Sequence, residues 1–408
     1  MKRADRPGLG TLWQTVPVRE RLNWIDWLKV LVVAGAFLFH AAQPFAATTW
    51  LIMDTEKSLP LSVASGFGYL FGMPLMFFLA GAATWLAVER RGIGGHAGLR
   101  LRRLLIPLVL GLVILGPPQA WVAYVAGGGQ AGPVEFLATY PATLQPTLNP
   151  RWFGDVGHHL WFLAFLALYV LLTVPLLSWL RARRAAGGDL VIGRVADRRF
   201  GLLWLVLPIA AVQLVLRPVF PDYRDWADFA LWLGYFVIGI GAMADERVMP
   251  AILRRRRVTL WVLPLVLVAY LPVLLFGSPV DIEHAPGFTV AGLAYVAWRT
   301  ALAWVMTLVF VGVAATYFTA RPRFLGWASS MVLPFYVLHH PVTVVVAALV
   351  VPLSLGLYLK FGLIVLVAGT ATVALCLALD LAAAALSTRL RGDAPLPRPS
   401  GPAAESPP

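Results

Sequence analysis

The chain has 408 residues, of which 59% are hydrophobic and 13% charged, about half the charged fraction of a soluble domain. That balance excludes an ordinary soluble globular protein and predicts an all-α polytopic membrane protein. A formal net charge of +13 would suit nucleic acid, but the basic residues alternate loop by loop between apolar runs, so the charge reports topology and no nucleic-acid partner is expected.

Apolar runs long enough to cross a hydrocarbon core recur near 24–45, 66–88, 104–125, 159–180, 201–217, 229–245, 258–276, 291–318, 328–350 and 356–386, which predicts about ten transmembrane helices. The fifth and sixth runs are short and the eighth is long, so the count is softest near 200–245. One side collects Lys2, Arg3, Arg6, Arg19 and Arg21, the basic segments 90–103, 181–199 and 247–257, Arg321, Arg323 and the C-terminal arginines. The positive-inside rule makes that side, and both termini, cytoplasmic. Residues 1–23 read as a cytoplasmic segment, 24–386 as one membrane domain and 387–408 as a disordered Pro-rich tail. The longest stretch between spans, roughly 126–157, is too short for a soluble catalytic domain, so any chemistry belongs among the helices. Cys376, the single cysteine, lies in the last span and leaves no disulfide framework.

In the first span Lys29 and His40 are eleven positions apart, which places them on one helix face about 16 Å apart along the axis. Asp26 shares that face. Ionisable groups inside a span mark a reaction or transport path rather than a lipid anchor. The second span, with Pro74 and Gly81 in FGMPLMFFLAGAATW, offers backbone surfaces where helices meet, and packing is its simplest role. Arg100, Arg102 and Arg103 then enter the third span behind a glycine-containing loop. Arg100 and Arg103 are one turn apart and can present both guanidinium groups to a single anion, lipid headgroups being the plainest example.

The fourth span opens with GDVGHHLWFL, which brings Asp155, His158, His159 and Trp161 to the outer boundary. Adjacent helical histidines diverge by about 100°, so one metal cannot easily take both. Arg299, in the eighth span, is a buried cation that requires a carboxylate, phosphate or carbonyl partner. The ninth span carries Tyr336, His339 and His340 near the bilayer midplane, followed by Pro341, which removes a backbone hydrogen bond beside the imidazoles. No carboxylate at ligand spacing and no H-x-x-x-H pair accompanies the histidines, so no metal is expected. The chain also lacks G-x-S-x-G, a Walker loop and a dinucleotide fingerprint.

These pieces together resemble the acyltransferase-3 family of bacterial integral-membrane acyltransferases, over about residues 21–385. Arg21, Ile25, Asp26 and Lys29 resemble its R-x-x-x-I-D-x-x-[RK] run, and Lys29 with His40 its [RK]-x10-H motif. Phe77, Phe78 and Gly81 resemble FF-x-x-G, Arg100 and Arg103 the R-x-x-R signature, His159 to Leu163 the HLWFL segment, and Tyr336 with His339 the Y-x-x-H segment. FFLAGAATW and YVLHHP are most like a glucan-modifying branch, associated with succinylation of periplasmic glucans. Two positions depart from the pattern. Lys29 stands where many members have Arg and loses the bidentate fork, and Ala80 with Gly81 replaces Ser-Gly.

The resemblance implies a membrane O-acyltransferase of the bacterial inner membrane, moving an acetyl or succinyl group from cytoplasmic acyl-CoA to a hydroxyl of an extracytoplasmic carbohydrate or related acceptor. It implies His40 as general base, with Lys29, Asp26 and His339 in the catalytic set and Arg100, Arg102 and Arg103 on the CoA phosphates. Arg299, His340, His159 and Tyr336 are then substrate-binding, and no metal is needed because a thioester is already activated. The rival reading is a transporter or flippase of a glycan-lipid or hydrophobic solute with the histidines as proton relay. Its weakness is the shortage of intramembrane carboxylates, since only Asp26 and Asp380 are read at span ends.

Overall fold

The computed structural model describes residues 23–144, 146–269 and 285–392, all of it helices and connecting segments. In chain order these are α1 (Asn23–Ala42), α2 (Leu59–Arg91), α3 (Ile93–Ala126), α4 (Pro133–Thr143), α5 (Trp152–Leu172), α6 (Val174–Ala185), α7 (Val191–Asp197), α8 (Gly201–Leu216), α9 (Trp226–Ala244), α10 (Val248–Val268), α11 (Val290–Tyr317), α12 (Arg323–Val350) and α13 (Leu357–Gly392). Among the described residues eight are long and apolar enough to cross a membrane: α1 with a short extension to Phe45, α2, α3, α5, α9, α11, α12 and the Leu357–Ala382 part of α13. Of the two remaining predicted spans, the fifth corresponds to the shorter apolar helix α8. The seventh, 258–276, starts on α10, whose first half carries Arg254 to Arg257, and from 270 on it lies outside the described residues. The expected tail boundary at 386 also shifts, because α13 stays helical to Gly392; the N-terminal segment before Asn23 and residues 393–408 lie outside the described residues. The long predicted loop contains a helix of its own, α4.

The centre of the bundle is the crossing of α2 and α9, its most extensive helix pair. Phe78 and Phe236 explain the intimacy, since each leads to a glycine three residues on. A Cβ at Gly81 would collide with the Phe236 carbonyl, and a Cβ at Gly239 would collide with the Phe78 carbonyl. The two backbones therefore touch reciprocally, the small-residue packing that substitutes for a hydrophobic driving force inside lipid. FF-x-x-G is thus a packing device here, as its composition predicts. Phe77, fully buried, adds aromatic contacts, stacking at 5.6 Å on Trp232 of α9. Valine at either glycine has no room, and Gly81→Val or Gly239→Val should destabilise the bundle by more than the roughly 1–3 kcal/mol of ordinary overpacking, because backbone rather than a side chain must move. Size-exclusion chromatography in detergent would read this as loss of the monodisperse peak.

The two ends of the bundle differ in chemistry. At one end Arg184 bridges Glu89 at 2.6 Å and Glu246 at 3.5 Å, and Arg247 pairs with Asp245 at 2.8 Å and Asp189 at 3.2 Å. Burial alone would raise the Asp245 carboxyl, but the hydrogen bonds from the Arg247 guanidinium and backbone hold it below the usual carboxylate range. The start of α1 is pinned at the same end, with Asn23 donating to the Thr319 carbonyl at 2.7 Å. At the opposite end the segment 46–58 folds over the bundle. Its Asp54 accepts from Lys360 of α13 at 2.8 Å, and Ser58 N–H donates to the Phe45 carbonyl at 2.8 Å.

Candidate active site

Three helices deliver five of the seven histidines to one place, toward the end remote from the paired arginines. His40 comes from the last turn of α1, His339 and His340 from α12, and His158 and His159 from the first part of α5. The His40 ring centre lies 4.5 Å from His340 and 5.4 Å from His339. His159 lies 4.6 Å from His340 and 5.4 Å from His339. His158, at φ 48°, sits in the left-handed region. That kink breaks helical geometry between the adjacent pair, so both rings stack on His340, at interplanar angles of 22° and 11°. The 100° divergence expected of two helical neighbours does not apply.

Hydrogen bonds fix which nitrogens carry protons. Pro341 has no N–H to give the carbonyl four residues back, and that carbonyl, on Val337, faces His159 Nε2 at 3.1 Å, as does the Tyr336 carbonyl. With two oxygens as neighbours, Nε2 must be the protonated nitrogen, and His159 Nδ1 is left as a lone pair. The same reasoning places the proton of His339 on Nδ1, which faces the Tyr336 carbonyl at 2.8 Å and the Phe335 carbonyl at 3.1 Å. Its Nε2 is then a lone pair. His340 Nδ1 donates to the Gln119 side chain of α3, and the Tyr336 hydroxyl donates to the His159 carbonyl. Three imidazoles are thereby oriented by acceptors. His40 alone among these four has no such anchor, and its buried Nδ1 has no partner.

Two participants escaped the sequence reading. Gln119 is 3% exposed and carries no motif; only its polarity inside an apolar run could have marked it. Trp50, half-buried on the 46–58 segment, stacks over His40 at 6.3 Å and meets His340 edge-on at 5.6 Å. The segment is held shut by the Asp54–Lys360 pair. Burial would raise the Asp54 carboxyl, yet hydrogen bonds from Lys360, the Glu56 N–H and the Thr55 hydroxyl keep it below its ordinary range.

At the other end of α1, Lys29 and Asp26 form an ion pair at 3.4 Å and both are half-buried. Arg100 of α3 lies within electrostatic range of Lys29. Its Nε is buried without a partner, while Arg102 and Arg103 are exposed. Among the described residues none of these three arginines forms an ion pair with a carboxylate, in contrast to Arg184 and Arg247 a short way off.

The structure does not bring Arg299 to the histidines. Arg299 of α11 faces Asp228 at 3.8 Å and lies over the Tyr69 ring at 5.5 Å. Asp228, fully buried in the first turn of α9, is held by the Arg217 guanidinium and accepts from the Arg224 N–H at 2.9 Å. The count of intramembrane carboxylates drawn from the sequence therefore needs correction: Asp228 falls at the boundary of an apolar run, where it reads as a loop residue. It supplies the partner that Arg299 requires. Tyr69 contacts Tyr223 at 4.8 Å, and Tyr223 meets Trp161 edge-on at 5.8 Å.

Among the described residues no group of three or more His, Cys, Asp or Glu has the arrangement to hold a metal ion. The arrangement suits proton transfer at a neutral imidazole, reached through a face of apolar and aromatic side chains. Glucans biosynthesis protein C of Escherichia coli O1:K1 / APEC is 23% identical over 368 residues, covering 85% of this chain and 89% of its own length. The protein of the same name from Shigella dysenteriae serotype 1 aligns with the same identity, 23%, and the same coverage, 85% and 89%. No solved structure matches. A family model for the acyltransferase-3 acyltransferase domain matches residues 22–381, and with a match of that extent the chain belongs to the acyltransferase-3 family of membrane acyltransferases.

Proposed function

We propose that the protein is a membrane O-acyltransferase of the bacterial inner membrane, moving an acetyl or succinyl group from cytoplasmic acyl-CoA to a hydroxyl of an extracytoplasmic glycan or related carbohydrate. The observation that carries the reading is α1 itself. One helix holds the Lys29–Asp26 pair close to Arg100 and, about 16 Å along, His40 inside the histidine cluster. Arg100, with Arg102 and Arg103, holds the CoA phosphates by charge-assisted hydrogen bonds, and Lys29 adds a point charge. The pantetheine arm runs along α1 and sets the thioester beside His40.

There His40 takes the proton of the acceptor hydroxyl as its oxygen attacks the thioester carbonyl. The C–O bond forms, the C–S bond breaks, and the imidazolium returns the proton to the departing CoA thiolate. The names of the relatives point to a glucan acceptor, and Trp50 supports it: a half-exposed indole above the base offers an apolar face to a sugar ring while leaving the hydroxyls free. Trp50→Ala should raise the acceptor KM about tenfold, the loss of one ring contact worth roughly 1.4 kcal/mol, with little change in donor KM. A comparable rise in both would remove Trp50 from acceptor binding.

The reading as a whole is tested by thiol release from acetyl-, propionyl- and succinyl-CoA by the purified protein in liposomes, with periplasmic-type glucan as acceptor. Acceptor-dependent release from one donor supports it. Absence of both release and CoA binding would overturn it in favour of transport.

A further inference from the structure

We propose that His339 is the positioning residue of His40: its Nε2 lone pair accepts the His40 Nδ1 proton, so that His40 Nε2 is presented as the base. The inference deepens the reading above, in which His40 is the base, and it starts from two orphaned atoms. His40 Nδ1 and His339 Nε2 are both buried and both without a hydrogen-bond partner. Two such groups in an apolar bundle each cost of the order of 1–3 kcal/mol, and they belong to neighbouring rings.

Their chemistry is complementary. The His339 N–H is spent on the Phe335 and Tyr336 carbonyls, which leaves Nε2 able only to accept. His40 has no carbonyl on either nitrogen and can place its proton on Nδ1. Distance selects the pair. A ring nitrogen lies about 1.1 Å from the imidazole centre, so two rings joined nitrogen to nitrogen by a bond of about 3.0 Å have centres about 5.2 Å apart. His40 and His339 are 5.4 Å apart with a tilt of 42°. His40 and His340, at 4.5 Å and 84°, are too close for that arrangement and pack edge to face. His159 and His339 are also 5.4 Å apart, but both present lone pairs there and cannot bond each other. A slight rotation of the unanchored His40 ring completes the bond, the tightening expected when a catalytic site fills.

The result has the logic of a Ser-His-Asp triad with a neutral acceptor in place of the carboxylate. The anchored ring fixes the tautomer and aim of the mobile one, and does not itself exchange a proton. Tyr336, three residues before His339, takes part twice: its carbonyl faces His339 Nδ1 at 2.8 Å and its hydroxyl donates to the His159 carbonyl.

The test uses full-length protein with 15N-labelled histidine in lipid bilayers, where nitrogen resonances separate N–H from lone-pair sites. His40 is assigned by the signal lost in His40→Asn. Wild type should show His40 as the Nδ1–H tautomer. His339→Leu should shift it toward Nε2–H or a mixture, and His339→Gln, whose amide end reaches the position of Nε2, should restore Nδ1–H. In thiol release, His339→Leu should lower kcat by about 100-fold or more with donor KM within about twofold, and His339→Gln should recover most of it. A His40 tautomer unchanged in a folded His339→Leu protein overturns the proposal. The spectroscopic result stands whether or not any donor is turned over, so a silent activity assay would count against the acyltransferase reading alone.

Discussion

His40→Ala should lower acyl transfer by about 1,000-fold or more while leaving CoA binding within about twofold. The size follows from what one positioned base contributes, on the order of 10²–10⁴, toward the upper end because the other lone pairs in the cluster belong to rings pinned by carbonyls. His159 donates to Tyr336 and Val337, His339 to Phe335 and Tyr336, and His340 to Gln119. None can swing into the vacated place without leaving a buried carbonyl or amide unpaired. Binding should survive because Arg100 and Lys29 are at the other end of the helix. Equilibrium binding of a CoA analogue, measured beside thiol release, separates the two effects. A mutant that loses binding and turnover together would mean that His40 supports the bundle rather than the chemistry, whereas full turnover would remove it from the site.

Periodicity made the main axis of the site legible in the sequence. Eleven positions on a helix close on themselves, so Lys29 and His40 had to share a face, and an imidazole in an apolar run had to face protein. Pro341 likewise announced a free carbonyl. What the sequence withheld were pairings between residues far apart in the chain: that the carbonyl on Val337 faces His159, that Gln119 meets His340, and that Trp50 meets His340. No local pattern encodes a contact across more than a hundred residues. Span count blurred for a physical reason too, because α8 is a short apolar helix and α10 carries four successive arginines in its first half, so hydropathy alone assigns them weakly. Asp228 was missed because the first turn of a helix at the edge of an apolar run is where polar residues are common and cheap. Its complete burial comes from tertiary packing.

Asp228→Asn should cost about 3–5 kcal/mol of stability, the usual loss when one member of a buried ion pair is removed. The carboxylate is fully buried and sits between two cations: the Arg217 guanidinium, 1% exposed, bonds it directly, and Arg299 lies 3.8 Å away. It also accepts from the Arg224 N–H, at a residue held at φ 67°. Asparagine keeps the shape but removes the charge, leaving the Arg217 guanidinium without its anion in a low-dielectric interior. Arg217 can still lean on the Pro221 and Asp222 carbonyls, at 3.2 and 3.4 Å, but a carbonyl returns only part of what an anion supplies. The deficit falls on the junction of α8, α9 and α11, away from the ring contacts that hold the histidines together, so the histidine cluster should keep its geometry in whatever fraction stays folded. Thermal unfolding in detergent should therefore show a melting temperature lowered by several degrees or more, with kcat per folded molecule close to wild type. Removing Arg217 in the same background, as Asp228→Asn with Arg217→Met, should recover part of the loss, since the stranded Arg217 cation is then gone. A single mutant as stable as wild type would mean that water reaches Asp228, and that the cluster is an open polar niche rather than a sealed ionic joint.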